Sequence, residues 1–386
     1  MKRTLQGAMS NRSTKRAGGF SLVEMMIAMA VSLIVLAAAV QIYIQGVSAT
    51  WTVTQRAELQ QDFRAASNIL TKDLSLAGAG LGQGIAIQLP TSTSLPRYGC
   101  AQTTGMPCYL GASNSASVNF PVQGTTPYLY GLLPGYDAGP TLYGPQGATD
   151  AVTVVYTDAA FYLDCYQATV ASDTTATFAL TVASQASANC TANGATIQAV
   201  NDTNQGLTAG DLVLFTFGTS SIVAEVTSAA TATTATFATG DAMNMNQSAA
   251  VPNSFASLAT GTTGTATRIL AITYYIDNTP NPPRLMRQVS GHIPVPVTEN
   301  VVYLKFSYDL YNDSTSTPAV NQPNPGSGDT NDTASNGLLP NQITKINILN
   351  MAMNSTMQGA KGGYQSFDLQ TSVSARNLTY SNNYPN

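Results

Sequence analysis

Charge is scarce in this chain. Lys+Arg number 16 and Asp+Glu 20 among 386 residues, 9% in all. After Arg16 the basic residues are scattered, which argues against a nucleic-acid-binding face, since such a face needs clustered Lys and Arg. Histidine occurs once, as His292 in Gly291-His292-Ile293-Pro294. Any Ser-His-Asp or Cys-His constellation must use that residue. It reads instead as a loop residue with a structural or solvent-exposed role, and no G-x-S-x-G elbow accompanies it. Cysteine occurs four times, with no C-x-x-C spacing. With a single histidine this excludes the usual metal-binding patterns, and no cofactor is implied. Proline is absent before Pro90, so nothing interrupts a long helix there. Disorder is a poor description, because 44% of residues are hydrophobic and recur with strand periodicity.

The first 16 residues hold Lys2, Arg3, Arg12, Lys15 and Arg16 and no acidic residue. From Phe20 to Val40 the only ionisable side chain is Glu24. An apolar run of about 20 residues is long enough to cross a bilayer as one helix. The basic flank sets the orientation, with everything after Val40 outside the cytoplasm. Two features depart from an ordinary secretory signal. The run exceeds the usual signal-peptide core, and its small-residue pair, Gly18-Gly19, precedes it rather than follows it. A carboxylate five residues into the run is itself a functional-site candidate.

Gly19-Phe20-Ser21-Leu22-Val23-Glu24 resembles the class III signal of type IV prepilins and type II secretion pseudopilins. The resemblance implies cleavage between Gly19 and Phe20 by a prepilin peptidase and methylation of the new amino group of Phe20. It also implies that the apolar helix stays attached as filament core, with Glu24 meeting the amino terminus of a neighbouring subunit. The segments Glu58–Arg64, Asp73-Leu74 and Gly78, then Arg284–Arg287, Tyr308–Leu310 and Ser372–Leu378, look like PilW-type minor pilins. The fold this implies is α+β and pilin-like: a long N-terminal helix on an antiparallel sheet, with a β-rich insertion. The expected division is a cytoplasmic leader over 1–19, a helix over 20–78 with its membrane span at 20–40, and an extracytoplasmic β-rich domain over 79–386. Residues about 100–265 lie outside the resemblance.

After the span the helix becomes one-faced. Leu59, Phe63, Ala66, Leu70, Leu74 and Ala77 recur at three- and four-residue steps, which places them on one side. Roughly 58 residues would span about 87 Å, and so polar a second half needs a sheet to rest on. Gly46 is either a bend point or a tolerated helix glycine. The run Gly78–Gly84 ends the helix. Gln83 stands where a G-x-G-x-x-G loop needs its third glycine, and the segment follows a helix rather than a strand.

Residues 85–149 are rich in Pro, Gly, Ser and Tyr and read as a long irregular connection. Strands are expected at 150–156, 176–182, 211–217 and 222–226, with a turn at 218–221, and then at 268–277, 284–289, 300–311, 342–351 and 367–377. In the strand at 301–310, Val302, Leu304, Phe306, Tyr308 and Leu310 share one face, the surface expected to lie on the helix. Thr-Thr-Ala-Thr-Phe-Ala occurs at 174–179 and again at 233–238. It is either a duplicated strand unit or a product of biased composition.

The cysteines, Cys100, Cys108, Cys165 and Cys190, all follow the span and meet an oxidising compartment. Of three possible pairings, Cys100–Cys108 with Cys165–Cys190 closes two short loops and is the expected one. Asp150, Asp158, Asp164 and Asp211 could meet in space, although turn and strand-end roles suit them better. The loop Gly326–Asp332 carries oxygen ligands but lacks the spacing of a calcium loop. Removing the leader leaves 11 basic against 20 acidic residues, near −9.

The reading is of a non-enzymatic minor pilin, inserted in the inner membrane before assembly and displayed on the pilus or cell surface afterwards. Its expected partners are prepilin peptidase, other minor and major pilins, and the inner-membrane assembly platform. Tip location, assembly initiation, twitching motility and adhesion follow from the same resemblance. A type II secretion pseudopilin is the alternative within the class, and a tip adhesin or binding module is the alternative outside it.

Overall fold

The computed structural model describes residues 19–81, 86–92, 94–99, 119–142, 147–180, 190, 197–218, 220–228, 230–279, 281–312, 317–325, 339–358 and 364–378. One helix, α1 (Leu22–Ser75, 54 residues), runs about 81 Å. It passes through Gly46 without a break, and Gly46 has open space around it. Up to Val47 every described residue is exposed. Ser48, Thr52 and Gln55 are then half-covered, and from Leu59 the stripe Phe63, Ala66, Leu70, Leu74 and Ala77 is buried. The sequence periodicity and the observed burial name the same residues. The helix stops where Gly78 (φ 76°) and Gly80 (φ 75°) turn the chain. A Cβ on Gly80 would sit 1.9 Å from Thr157 Oγ1, so both the backbone conformation and the close approach require glycine.

The stripe rests on a four-stranded antiparallel sheet ordered β15 (Thr317–Gln322), β14 (Val301–Asn312), β16 (Ile343–Gln358), β17 (Tyr364–Ser374). The helix approaches β16 and β17 most closely, with Phe63 edge-on to Phe367 at 4.9 Å between ring centres. The sequence placed the 301–310 strand under the helix; in the structure that place belongs to the last two strands. The expected face holds at Leu304, Phe306, Tyr308 and Leu310, all buried. At the start of the strand a register shift against β16 between Val301 and Tyr303 reverses the side-chain parity, and Val301 is buried where Val302 was expected.

The second sheet has ten strands around β11 (Thr263–Asp277, 15 residues). The first half of β11 pairs with β6 (Tyr166–Ser172) and β8 (Leu212–Phe217). Its second half pairs with β5 (Ala151–Thr157) and β12 (Arg284–Val289). Outer strands complete the sheet: β4 (Leu132–Gly135) on β5, β9 (Ser220–Glu225) on β8, β13 (Val295–Glu299) on β12, and β7 (Thr175–Leu180) then β10 (Thr234–Thr236) beyond β6. The stretch expected to be irregular is in part a small sheet ordered β1 (Ala86–Gln88), β3 (Thr126–Tyr130), β2 (Val122–Gln123). Its prolines are compatible with strands: Pro134 lies on β4, which pairs only with β5, an edge position where a missing N–H costs nothing.

Two buried apolar clusters result. One joins α1, the four-stranded sheet and the second half of β11. The other gathers Phe161, Phe178, Phe215, Phe237, Phe255 and their neighbours under the strands of 158–262. The repeated hexapeptide lies in the second. Its two copies pair antiparallel, with Ala176 opposite Ala235 at the centre. Phe178 N donates to Thr233 O at 2.8 Å and Phe237 N to Thr174 O at 2.7 Å. The pairing is two-fold symmetric in sequence, as a duplicated strand unit would be.

A buried polar contact pins the helix. Asp73, 5% exposed, accepts at Oδ2 from Tyr274 Oη on β11 (2.6 Å) and from Arg287 Nε on β12 (2.8 Å). Burial pushes the Tyr274 hydroxyl far above the ordinary tyrosine range, and the hydrogen bond to Asp73 adds to this. Burial, with the Asp73 carboxylate, also pushes Tyr156 up to about 12. Arg287→Met is expected to cost about 2–4 kcal/mol, because it leaves a buried carboxylate without its cation, discounted for the partial exposure of Arg287. Urea denaturation of the full chain in detergent measures this, and Asp73→Asn in the Arg287→Met background should recover part of the loss.

Candidate functional site

The N-terminal end of α1 is built by a local motif. Ser21 has extended backbone (φ −75°, ψ 150°) and caps the helix. Its Oγ accepts from Glu24 N at 3.2 Å, and Glu24 Oε2 accepts from Ser21 N at 3.0 Å. This S-x-x-E capping box satisfies two N–H groups that the first turn leaves open. The carboxylate also sits at the positive end of the helix dipole. Glu24 therefore has a partner within its own chain, which the sequence reading lacked. The Ser-x-x-Glu spacing was the signal available for it.

Gly19 and Phe20 precede the cap, outside the helix. Nothing lies within 4 Å of a Cβ built on Gly19, so the packing of this chain does not require glycine there. Phe20 is 89% exposed, and Leu22, Met25, Met26, Met29, Leu33 and Leu36 are exposed with it. This helix is long and apolar enough to cross a membrane, and its most apolar window is not buried in the protein. An apolar rod with no cover in its own fold needs lipid or other helices around it.

The residues considered for catalysis separate into two structural networks. Arg268 on β11 binds Asp158 through Nε (2.9 Å) and Nη2. It also approaches Asp211 Oδ2 at 3.7 Å and stacks over the Phe161 ring at 4.8 Å. His292 Nε2 lies 2.8 Å from Asp211 Oδ1. Asp158 and Asp211 are thus brought together by a cation, not poised as an acid/base pair. Among the described residues no serine, threonine or cysteine side chain is bonded to His292. Asp150 belongs elsewhere: it accepts from Lys305 Nζ (2.7 Å), Phe306 N (2.9 Å) and Asp137 N (2.9 Å). Burial raises the Asp150 carboxyl above its ordinary range, with these bonds opposing the shift. Asp164 is exposed in a short 3-10 turn. Arg268 and Lys305, the organising cations, carried no sequence signal, since their carboxylate partners Asp158 and Asp150 lie 110 and 155 residues away.

Cys165 and Cys190 form a disulfide, with Cα atoms 5.7 Å apart. Cys100, Cys108 and the loop at 326–332 lie outside the described residues.

Residues 14–40 match the family model described as the prokaryotic N-terminal methylation motif. The match spans the proposed cut, Glu24 and the apolar run, and supports a type IV pilin-like prepilin signal. No curated protein gave a significant match. No solved structure gave one either.

Arg268→Met is expected to destabilise by about 3–5 kcal/mol, because it strands two largely buried carboxylates. Thermal unfolding monitored by near-UV circular dichroism checks this. Adding Asp158→Asn should return part of the loss.

Proposed function

We propose that this chain is a minor pilin of the PilW kind, cut between Gly19 and Phe20 by a prepilin peptidase and N-methylated on Phe20. The observation that carries the reading is the methylation-motif match over 14–40, on a helix that continues unbroken into a buried seat on the β domain. The exposed first half of α1 inserts in the inner membrane and, after processing, packs among the helices of other minor and major pilins on the assembly platform. Once the leader is removed, Phe20 carries a cationic amino group four residues from Glu24. The capping box holds Glu24 at the helix end, where a neighbour's amino terminus can take up its carboxylate. Register between subunits follows from that ion pair, because an unpaired charge is costly in an apolar bundle.

A bulky β domain suits a low-copy position at the tip, where it starts assembly. The same helix would serve a type II secretion pseudopilin. A binding role at the tip is favoured by one feature: the strands of 158–262 have an apolar core of their own. Asp158 N donates to Arg268 O at 2.9 Å, so the chain that leaves at Asp158 is back beside it at Arg268, and a short linker can join those two positions. A deletion of 159–267 that keeps piliation and loses surface binding would establish the binding-module role.

Glu24→Ala is expected to leave leader cleavage intact and to abolish incorporation into filaments, followed by immunoblot of the processed form and of sheared surface fractions. Normal incorporation would leave α1 as a membrane anchor only and overturn the assembly role of Glu24. Ser21→Ala should cost the helix end about 1 kcal/mol and reduce incorporation less.

A further inference from the structure

A buried pair of carboxyl groups lies outside everything described so far. Glu225, at the end of β9, is 0% exposed, and Asp241, in the following loop, is 4% exposed. Their side chains are within hydrogen-bonding reach of each other. Glu225 Oε2 accepts from Met243 N at 3.0 Å, while Oε1 meets no donor among the described residues. Both Asp241 oxygens are taken by backbone N–H groups, of Met245 at 2.7 Å and Asn246 at 2.9 Å. Gly291 closes the site: a Cβ there would sit 2.3 Å from Glu225 Oε1.

We infer that Glu225 and Asp241 share one proton at neutral pH, and that this proton latches the 241–247 loop to β9 and, through it, the 94–97 segment to the domain. Two carboxylates in contact in a dry site repel, and a proton between them turns that repulsion into a hydrogen bond. The site is also poorly arranged for a cation. Asn246 Nδ2 donates to Glu225 O (2.6 Å) and Ala238 O (3.0 Å), which occupies the nearby carbonyls. The charged and titratable side chains on the adjoining segments bond to groups other than these two carboxyls. Asp211 and His292 bond each other, Arg268 lies against Asp211, and Arg97 Nε donates at 3.2 Å to a carbonyl of the loop itself, Ala242 O.

The loop carries the segment. Asn244 Nδ2 and Gln247 Nε2 donate to Ser94 O at 2.7 and 3.0 Å, and Arg97 N donates to Met243 O at 2.9 Å. Opening the pair would release these bonds together and leave the 94–97 segment held by its bridge to Asn119 and by the Phe120 N bond to Pro96 O.

The direction of the pH effect follows from proton binding. Burial, then the neighbouring Asp241 carboxyl, push Glu225 from 4.5 up to about 10. The closed latch therefore binds one more proton than the open loop across that interval. Its stability is fully present below the ordinary glutamate range and is lost as pH rises toward 10.

Hydrogen exchange on the full chain in detergent, corrected for intrinsic rates, tests the latch. Protection of the Met243, Met245 and Arg97 amides should fall about tenfold per pH unit between pH 6 and 8. In Glu225→Gln, whose amide replaces the proton, the slope should vanish. Protection independent of pH in the native chain, or the same slope in the variant, would overturn the inference. Should the variant fail to fold, infrared spectroscopy of the native chain decides alone. A protonated-carboxyl band at pH 7 that disappears on alkaline titration is expected, and its absence at pH 7 refutes the shared proton.

Discussion

A buried carboxylate holds the two halves of this molecule in one geometry. Asp73 is the only charged residue on the buried stripe of α1, and it receives a tyrosine from β11 and an arginine from β12. Apolar packing alone would let the stripe slide along the sheet, since Leu, Phe and Ala side chains are interchangeable in coarse register. A directional bond to a charged group tolerates no such slip. A helix whose first half stands in lipid or among other helices transmits force to its β domain, so a fixed register at Asp73 sets where that domain hangs. The edge-on Phe63–Phe367 contact lies nearly three turns earlier, and the two together give the helix two points of attachment to the domain.

The β domain is organised by a single strand. β11 spans 15 residues, enough to serve two neighbourhoods in succession. Its second half lies in the core that carries the helix; its first half lies in the lobe of 158–262. Arg268 sits near the junction and ties Asp158, where the lobe leaves the sheet, to Asp211. The lobe is thus an elaboration between two adjacent points of an existing sheet. Such an insertion can enlarge the domain without moving the helix seat. Within it, the paired hexapeptides form a symmetric edge, and their phenylalanines, Phe178 and Phe237, enter one apolar cluster from opposite ends of the pairing.

The exposed half of α1 sets the conditions under which this molecule exists. Each large apolar side chain left in water forgoes roughly 1.5–3 kcal/mol of burial, and the run from Phe20 to Ile44 presents more than a dozen. That sum exceeds the net stability of a typical domain. The chain therefore reaches its working state only in an apolar surrounding. The capping box at Ser21 and Glu24 lets the helix start there with its first N–H groups satisfied.

The division between what could be read and what could not follows the range of the interactions. The membrane-length run, the prepilin-like signal within 14–40, the helix stripe from Leu59 to Ala77 and most strand positions after Asp150 were legible in the sequence, because each depends on neighbours within a turn or a pleat. The Ser21–Glu24 box is equally local, and its three-residue spacing stands in the sequence. The seat of α1 on β16 and β17, and the bulge that buries Val301 in place of Val302 at the start of β14, were not legible, because strand order and bulges arise from pairing across the sheet. The same holds for the ion networks of Asp73, Arg268 and Lys305 and for the Glu225–Asp241 pair. Sequence by itself determined that this chain carries an apolar helix with a prepilin-like signal and a β-rich domain. Only the tertiary structure decided which buried charges meet, because no local pattern encodes contacts between residues tens to hundreds of positions apart.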